Sequence, residues 1–237
     1  MIRVLVADNQ TLVRTGFVSL LSSMSQVQVV GQAASGEEVV QLARELNPDI
    51  VLMEVVLPGM GGFEATQRII AYNRFTAVVA LTSCTQAPFP AQMLKAGALG
   101  YLTKDVSLQE LEQALRKVFM GKRYVCHTVA QDLASYAVED NVESPFEQLS
   151  NREMQIMLMV VNCQKVSDIS VSLHLSPKTV NSYRYRIFEK LNVKSDVELV
   201  LLAVQHGMVP VRLGPKRQSV HASLSEETRV PDTTHAA

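Results

Sequence analysis

Short apolar segments alternate with helical ones through the first half of the chain, and this alternation limits the fold more than any other feature. Strand-like runs rich in Val, Leu and Ile occur at 3–7, 27–32, 50–54, 77–82 and 100–102. Segments with apolar residues at helical spacing occur at 11–24, 36–46, 62–72, 90–96 and 107–120. Parallel strands need crossovers of this length, so the pattern favours a doubly wound parallel α/β sheet. Residues 1–121 are therefore predicted to form a five-stranded (βα)5 domain.

Polar side chains stand where four of the predicted strands end. Asp8 and Asn9 follow the first strand, Glu54 ends the third, Thr82 ends the fourth, and Lys104 follows the fifth. Parallel strands present their carboxyl ends at one edge of the sheet, where α/β domains bind ligands. The sequence therefore predicts a functional site at this edge.

A helix between residues 176 and 191 carries its apolar residues on one stripe. Ser176 can cap this helix, and Pro177 suits its first position, where no N–H is needed. The stripe consists of Val180, Ile187 and Leu191, with Tyr183 and Arg184 at its edges. The preceding segment, with Val166, Ile169 and Leu173 at helical spacing, is predicted to form a second short helix, and residues 174–176 are predicted to be the tight turn between the two. Two helices joined in this way predict a helix-turn-helix, here in a small all-α domain over residues 146–209.

The opposite face of this helix carries side chains that bond well to nucleic acids: Lys178, Asn181, Ser182, Tyr185 and Arg186. Five basic residues and one acidic residue lie between Lys178 and Lys194. Solvation alone would explain a polar face, but this concentration of basic charge favours contact with DNA phosphates. Asn181, Ser182 and Tyr185 are predicted to face base edges, and Lys178, Thr179 and Arg186 to hold phosphates.

Arg184 is expected to face the interior of the small domain, because it lies about 40° from Val180 on a helical wheel. A charge in that place needs a partner. We predict that the partner is Glu153, which has capping-box spacing from Ser150 at the start of the domain.

The last predicted helix begins at Ser195 and Asp196, and its apolar stripe consists of Val197, Leu201 and Val204. We predict that two chains pair through it as a homodimer on a two-fold DNA site. The alternative is that the stripe packs only on the helices of its own domain.

Composition excludes several classes of protein. The 22 basic residues nearly balance the 23 acidic ones, so the chain is not a general nucleic-acid coat. Cys84, Cys126 and Cys163 show no disulfide or metal spacing and are expected to be buried. No apolar run reaches the roughly 18 residues of a membrane span, which predicts a soluble cytoplasmic protein with no membrane partner. No paired nucleophile and base and no phosphate-cradling glycine loop stands out, so no enzyme activity is expected.

Three motifs resemble the LuxR-type helix-turn-helix: Leu149-Ser-x-Arg-Glu153, Leu175-Ser-Pro-Lys-Thr-Val180 and Ile187-x-x-Lys-Leu191. The run from Lys178 to Leu191 is similar to the GacA/UvrY branch of the NarL/FixJ response regulators. The first half resembles a receiver domain, with its phosphoacceptor loop at residues 51–65. The resemblance implies that Asp8 is a metal-binding acid, Tyr101 the switch aromatic, and Thr82 and Lys104 the residues that bind phosphoryl oxygens.

Two positions depart from the receiver pattern. Asn9 stands where the resemblance implies a second acid, and Glu54 where it implies the phosphoacceptor aspartate. Glutamate extends its carboxylate by roughly 1 Å, and in-line phosphoryl transfer is sensitive to such a displacement. Mg²⁺ requires near-octahedral hard oxygen ligands, so the degenerate set of Asp8, Asn9 and Glu54 is expected to hold it weakly or not at all. No other cofactor is expected. We predict a regulator that is not switched by phosphorylation at position 54.

The role of the altered receiver stays open between several readings. Glu54 could reach Thr82 and Lys104 and act as a partial mimic of a phosphoryl group. It could instead form only a structural ion pair with Lys104. A neighbouring acid could retain a residual phosphoswitch, or the receiver could serve as an interaction module or antagonist of an orthodox paralogue.

The resemblance implies a transcription regulator that binds double-stranded promoter DNA beneath a BarA/GacS-type sensor kinase. The two departures put the action of that kinase in doubt. Residues 122–145, which are polar in their second half, are predicted to be the linker between the domains. Residues 210–237 are predicted to be a disordered tail, because they combine low hydrophobicity with scattered prolines.

Overall fold

The computed structural model describes residues 1–85, 88–138, 144–206 and 208, with residues 135–138 described for the backbone only. The first domain contains β1 (Ile2–Ala7), α1 (Thr11–Ser22), β2 (Val27–Ala33), α2 (Gly36–Leu46), β3 (Ile50–Met53), α3 (Gly61–Tyr72), β4 (Ala77–Thr82), α4 (Phe89–Lys95), β5 (Gly100–Thr103) and α5 (Leu108–Phe119). A short strand and a helix follow, β6 (Tyr124–Val125) and α6 (His127–Val138). The second domain contains a 3₁₀ turn (Pro145–Gln148), α7 (Asn151–Val161), α8 (Val166–Leu173), α9 (Pro177–Leu191) and α10 (Asp196–Gln205).

The strands form a parallel sheet in the order β2-β1-β3-β4-β5-β6. The predicted doubly wound parallel α/β domain is confirmed, and the five predicted strands agree with β1 to β5 to within one residue at each end. The chain reverses its direction of travel across the sheet between β1 and β3, where α/β domains open a crevice. The candidate site is therefore expected at the carboxyl ends of β1, β3 and their neighbours.

The two central strands β3 and β4 are buried along their whole length. Helices cover both faces of a parallel sheet, which explains why these strands read as continuous apolar runs rather than alternating ones. Thr82 is the exception, since it places a wholly buried hydroxyl at the end of β4.

The segment predicted as the linker, residues 122–145, differs from that prediction because it contains β6 and the whole of α6. The backbone N–H of Tyr124 donates to the Leu99 carbonyl at 3.0 Å, and that of Cys126 donates to the Tyr101 carbonyl at 3.0 Å. Cys126 and Val129 are buried. Edge pairing with β5 thus adds a sixth strand to the sheet. The polar tether at 139–143 and the predicted tail at 210–237 lie outside the described residues.

Helices of the second domain begin as the sequence predicts. Ser150 and Glu153 form a capping box on α7, and the hydroxyls of Ser176 and Ser195 accept backbone N–H bonds at the starts of α9 and α10. Three residues join α8 to α9, and the first of them, His174, has a left-handed φ of 52°. The helix-turn-helix is confirmed. None of the helices in the described ranges is long and apolar enough to cross a membrane.

Candidate switch site and nucleic-acid interface

Four neighbouring strands bring the predicted receiver residues together. Asp8 follows β1, Glu54 follows β3, Thr82 ends β4, and Lys104 follows β5. These strands are adjacent in the sheet, so their carboxyl ends meet at one edge. Asp8 and Glu54 are only 3% and 6% exposed, which places two carboxylates where water does not stabilise their charge.

Both carboxylate oxygens of Glu54 have partners. Oε1 accepts the Thr82 hydroxyl at 2.5 Å and the backbone N–H of Val56 at 3.1 Å. Oε2 lies 2.5 Å from the Lys104 ammonium. Glu54 is thus bound by a hydroxyl, a backbone N–H and an ammonium, and contacts of this kind with an ionised group are stronger than those between neutral groups.

Lys104 lies between two carboxylates. Its Nζ is 2.6 Å from Oδ2 of Asp8 as well as 2.5 Å from Oε2 of Glu54. Burial alone would lower the pKa of Lys104, but the nearby charges and hydrogen bonds of Glu54 and Asp8 raise it above its usual value. The ammonium therefore stays charged and neutralises one of the two acids.

Asn9 does not share this environment, because it is exposed at the surface. Asp8 instead uses its second oxygen, Oδ1, to accept the backbone N–H of Gln10 at 2.7 Å. Among the described residues, no group of three or more His, Cys, Asp or Glu side chains is placed to hold a metal ion.

Tyr101 is wholly buried, and its hydroxyl donates to the carbonyl of Cys84. Burial, with smaller contributions from Cys84 and Glu54, raises the pKa of Tyr101 well above its usual value. The backbone N–H of Cys84 also donates to the Thr82 hydroxyl at 3.2 Å. One peptide segment thus joins the switch aromatic to the hydroxyl that contacts Glu54.

Sequence reasoning missed this position of Cys84, which it took for a buried apolar residue. Its place two residues after Thr82 was the available signal. Burial, followed by the charge of Glu54, raises the pKa of the Cys84 thiol to about 12, so it stays protonated. The burial expected of all three cysteines is correct for Cys126 and wrong for Cys163, which is exposed, while Cys84 is half-buried.

Helix α9 presents the polar face that the sequence predicts. Val180, Ile187 and Leu191 are buried against the rest of the domain. The exposed residues of the opposite face are Lys178, Ser182, Tyr185 and Arg186. Thr179 is half-buried and contacts the capping hydroxyl of Ser176 at 2.8 Å. Asn181 is also half-buried, and its Oδ1 accepts a hydrogen bond from Arg184 at 2.7 Å.

The predicted pair between Arg184 and Glu153 is wrong. Arg184 pairs with Asp196 at the start of α10, with Nε donating to Oδ1 at 3.2 Å and Nη2 to Oδ2. Glu153 instead contacts the Lys190 ammonium at 2.6 Å. Burial would raise the pKa of Glu153, but the hydrogen bonds from Lys190 and Ser150 lower it overall. The error arose because the start of α7, where Glu153 lies, approaches the C-terminal end of α9. The residue of α9 that it meets there is Lys190, almost two turns beyond Arg184.

Helix α10 turns Leu199 and Ala203 into the domain. Val197 and Leu201 face outward, at 69% and 56% exposed, and Val204 is half-buried. Exposed apolar side chains of this kind are what a surface that pairs two chains requires.

Comparison with protein families identifies both domains. The response regulator receiver domain model matches residues 4–116, and the model of bacterial regulatory proteins of the luxR family matches residues 147–203. Over 210 residues the chain is 57% identical to the response regulator GacA of Pseudomonas viridiflava, covering 88% of this chain and 98% of that protein. This chain belongs to the GacA/UvrY-type response regulators. The regulator is also 47% identical to UvrY of Escherichia coli K12 over 209 residues, covering 88% of this chain and 96% of UvrY.

Solved structures agree with this assignment. A LuxR-family response regulator from Aurantimonas sp. SI85-9A1 is 35% identical, with a TM-score of 0.56, and the match covers 58% of this chain and 98% of that one. RcsB of Salmonella typhimurium has a TM-score of 0.67 over 86% of this chain and 97% of its own. At 20% identity RcsB shows the fold alone. The regulator is accordingly a two-component, DNA-binding transcription regulator.

Proposed function

We propose that this regulator binds promoter DNA without being phosphorylated at position 54, because Glu54 holds the receiver in its DNA-reading arrangement. The single observation that carries this proposal is the pair of contacts from Glu54 to Thr82 and to Lys104, each at 2.5 Å. By family resemblance, these are the hydroxyl and the ammonium that bind phosphoryl oxygens. The glutamate occupies both of them.

Charge supports a partial rather than a complete mimic. An ionised glutamate carries one negative charge, whereas a phosphoryl group carries about 1.5 to 2 at neutral pH. A second carboxylate, Asp8, lies on the same ammonium at 2.6 Å and adds to the negative charge around it. Tyr101 is buried and donates to the Cys84 carbonyl, so it connects β5 to the segment just after Thr82.

The family also implies a Mg²⁺ ion, and these residues do not fit one. The oxygens that would bind the metal belong to Asp8 and Glu54, and the Lys104 ammonium already contacts one oxygen of each. Asn9, at the position of the second acid, is exposed and neutral. Mg²⁺ demands near-octahedral oxygen ligands at about 2.0–2.1 Å. The ammonium provides the positive charge instead, and no step of the proposed function uses a metal.

A homodimer on DNA is part of the proposal. Val197 and Leu201 form an exposed apolar surface on α10, on the side of the helix away from the buried Leu199. Two-fold pairing through this surface would place two copies of α9 on successive half-sites of a palindromic promoter. A sensor kinase of the BarA/GacS type would then control neither the affinity for DNA nor the formation of the homodimer by phosphorylating position 54.

Treatment with acetyl phosphate and Mg²⁺ tests the absence of phosphorylation. Intact-mass spectrometry of the treated protein is expected to detect no added phosphoryl group, because the glutamate is misplaced for in-line transfer and already bonded. The variant with both Glu54→Asp and Asn9→Asp rebuilds the acid set, and it is expected to gain the phosphoryl group and a donor-dependent affinity for DNA. A phosphoryl group on the parent protein that disappears when Glu54 is replaced would contradict the proposal.

A further inference from the structure

Helix α7 is buried around its whole circumference for nine consecutive residues, from Glu153 to Val161. A helix on the surface of a small domain buries one face, so burial on every side requires a second partner. Helix α7 contacts α8, α9 and α10 of its own domain and also α3 of the receiver. The receiver is therefore the second partner of α7.

Two side chains of α7 bond to the receiver loop that follows β3. Gln155 is only 4% exposed, and its Nε2 donates to the Leu57 carbonyl at 2.7 Å and to the Gly59 carbonyl at 3.3 Å. Nη1 of Arg152 donates to the same Gly59 carbonyl. It also donates to Oε1 of Gln155 at 2.7 Å. These bonds provide hydrogen-bond donors to the buried carbonyls of Leu57 and Gly59.

A backbone hydrogen bond also joins the two domains, and here the receiver supplies the donor. The N–H of Gly59 donates across the domain boundary to the carbonyl of Ser172 in α8, at 2.9 Å. Arg152 reaches the same end of α8 through Nη2, which donates to the Leu173 carbonyl at 3.0 Å. We call Arg152, Gln155 and the loop Leu57–Gly61 the domain clamp.

The loop is shaped for this contact. Gly61 has a φ of +76°, and a Cβ atom there would lie 2.9 Å from Nε2 of Gln155. The positive φ favours glycine at this position, and a side chain there would displace the Gln155 amide. The residue just before the loop contacts the switch site, since the N–H of Val56 donates to Oε1 of Glu54 at 3.1 Å.

The clamp leaves the polar face of α9 and the apolar surface of α10 exposed. Lys178, Ser182, Tyr185 and Arg186 on α9 are exposed while α7 and α8 are held by the receiver. Val197 and Leu201 on α10 are exposed as well. The docked receiver therefore leaves the predicted DNA-contacting and pairing side chains exposed.

We infer that the domain clamp is the arrangement in which this regulator reads DNA. The receiver holds the helix-turn-helix domain in place rather than covering it, with Arg152 and Gln155 as positioning residues. A fixed orientation removes the need to order two mobile domains when two chains meet on one promoter. The inference rests on the DNA binding of the proposed function and not on Glu54 acting as a phosphate mimic.

The Gln155→Leu variant of the full chain tests the clamp. Leucine keeps most of the volume but removes both donors, which leaves the Leu57 and Gly59 carbonyls without the side-chain amide. Amide hydrogen exchange at Gly59 reports docking, because its N–H bonds to Ser172 across the boundary. The Gly62 amide is an internal reference, since its N–H bonds to the Val55 carbonyl inside the receiver at 3.1 Å. Gln164→Leu is the matched control, because Gln164 is exposed in the connection that follows α7.

We expect Gln155→Leu to lose protection at Gly59 but not at Gly62. If about one molecule in ten remains docked, affinity for a promoter fragment falls about tenfold. Arg152→Ala, a milder change at a half-buried position, is expected to shift both measurements in the same direction, and Gln164→Leu to shift neither. Unchanged or tighter DNA binding by a folded Gln155→Leu protein would overturn the inference, as would an unprotected Gly59 amide in the parent. An unchanged affinity of Glu54→Gln would refute the phosphate mimic while the Gln155 result still decides the clamp.

Discussion

The switch site of the receiver and the outer face of α9 use similar polar side chains in opposite ways. In the receiver, the carboxylates of Asp8 and Glu54, the hydroxyl of Thr82 and the ammonium of Lys104 bond to one another, away from water. On α9, Lys178, Tyr185 and Arg186 are exposed. Substitutions in the switch site should therefore change stability and conformation, whereas substitutions on α9 should change contacts with DNA.

The largest effect is expected from Lys104→Ala. Two carboxylates with side chains 5% and 7% exposed would be left beside each other without the ammonium. Loss of one partner of a buried ion pair costs about 3–5 kcal/mol, to be measured by chemical denaturation at neutral pH. Lys122→Ala, at an exposed position, is the control and should unfold like the parent.

The pH dependence of stability follows from the raised pKa of Lys104 in the folded protein. Its contribution is complete below the pKa of the unfolded chain and is lost as the pH rises through the higher folded value. The parent should therefore lose stability in the alkaline range in a way that Lys104→Ala does not. An equal stability of the two proteins at neutral pH would show that the cluster is not held by charge.

Leu201→Glu is expected to have the next largest effect, on DNA rather than on folding. Leu201 is 56% exposed, so the variant should fold normally while a charge disrupts pairing. Loss of the second half-site should weaken binding to a palindromic fragment by about a hundredfold, with little change on a single half-site. Parent-like affinity for the palindrome in a folded variant would indicate that α10 serves only its own domain.

Asn181→Ala and Lys178→Ala should separate base reading from phosphate contact. Asn181→Ala is expected to reduce discrimination between specific and random DNA by about 1–3 kcal/mol, and Lys178→Ala to weaken both and flatten the salt slope by about one. In the free protein Oδ1 of Asn181 accepts a hydrogen bond from Arg184, which orients the amide on α9. Equal losses on both kinds of DNA for Asn181→Ala would place this residue in the scaffold.

Local patterns were enough to predict most of the fold. Runs such as residues 77–82 have no polar interruption before Thr82, and the caps at Ser150, Ser176 and Ser195 follow from local spacing. The convergence of Asp8, Glu54, Thr82 and Lys104 also followed, because strand ends share one edge of a parallel sheet.

Contacts between distant segments could not be predicted in this way. Gln155 and Leu57 are 98 residues apart in the chain, and neither shows a periodic signal that points to the other. The partner of Arg184 was misassigned because local spacing gives the face of a helix but not which acid of a neighbouring helix approaches it. The bond from Lys104 to Asp8 likewise depends on side-chain reach across β3 and β4, which lie between them in the sheet.

The most direct test is the affinity of Glu54→Gln for a promoter fragment in the absence of any phosphodonor. Glutamine keeps the size of the side chain, but its amide cannot neutralise the Lys104 ammonium. A hydrogen bond to a charged group contributes about 1.5–3 kcal/mol. Because part of this free energy stabilises the DNA-reading arrangement, its loss is expected to lower the affinity for the promoter fragment about tenfold. Glu45→Gln, at an exposed position of α2, is the control and should bind like the parent. Parent-like binding by Glu54→Gln would mean that Glu54 is only structural. It would contradict the claim that the charge of Glu54 holds the receiver in its DNA-reading arrangement.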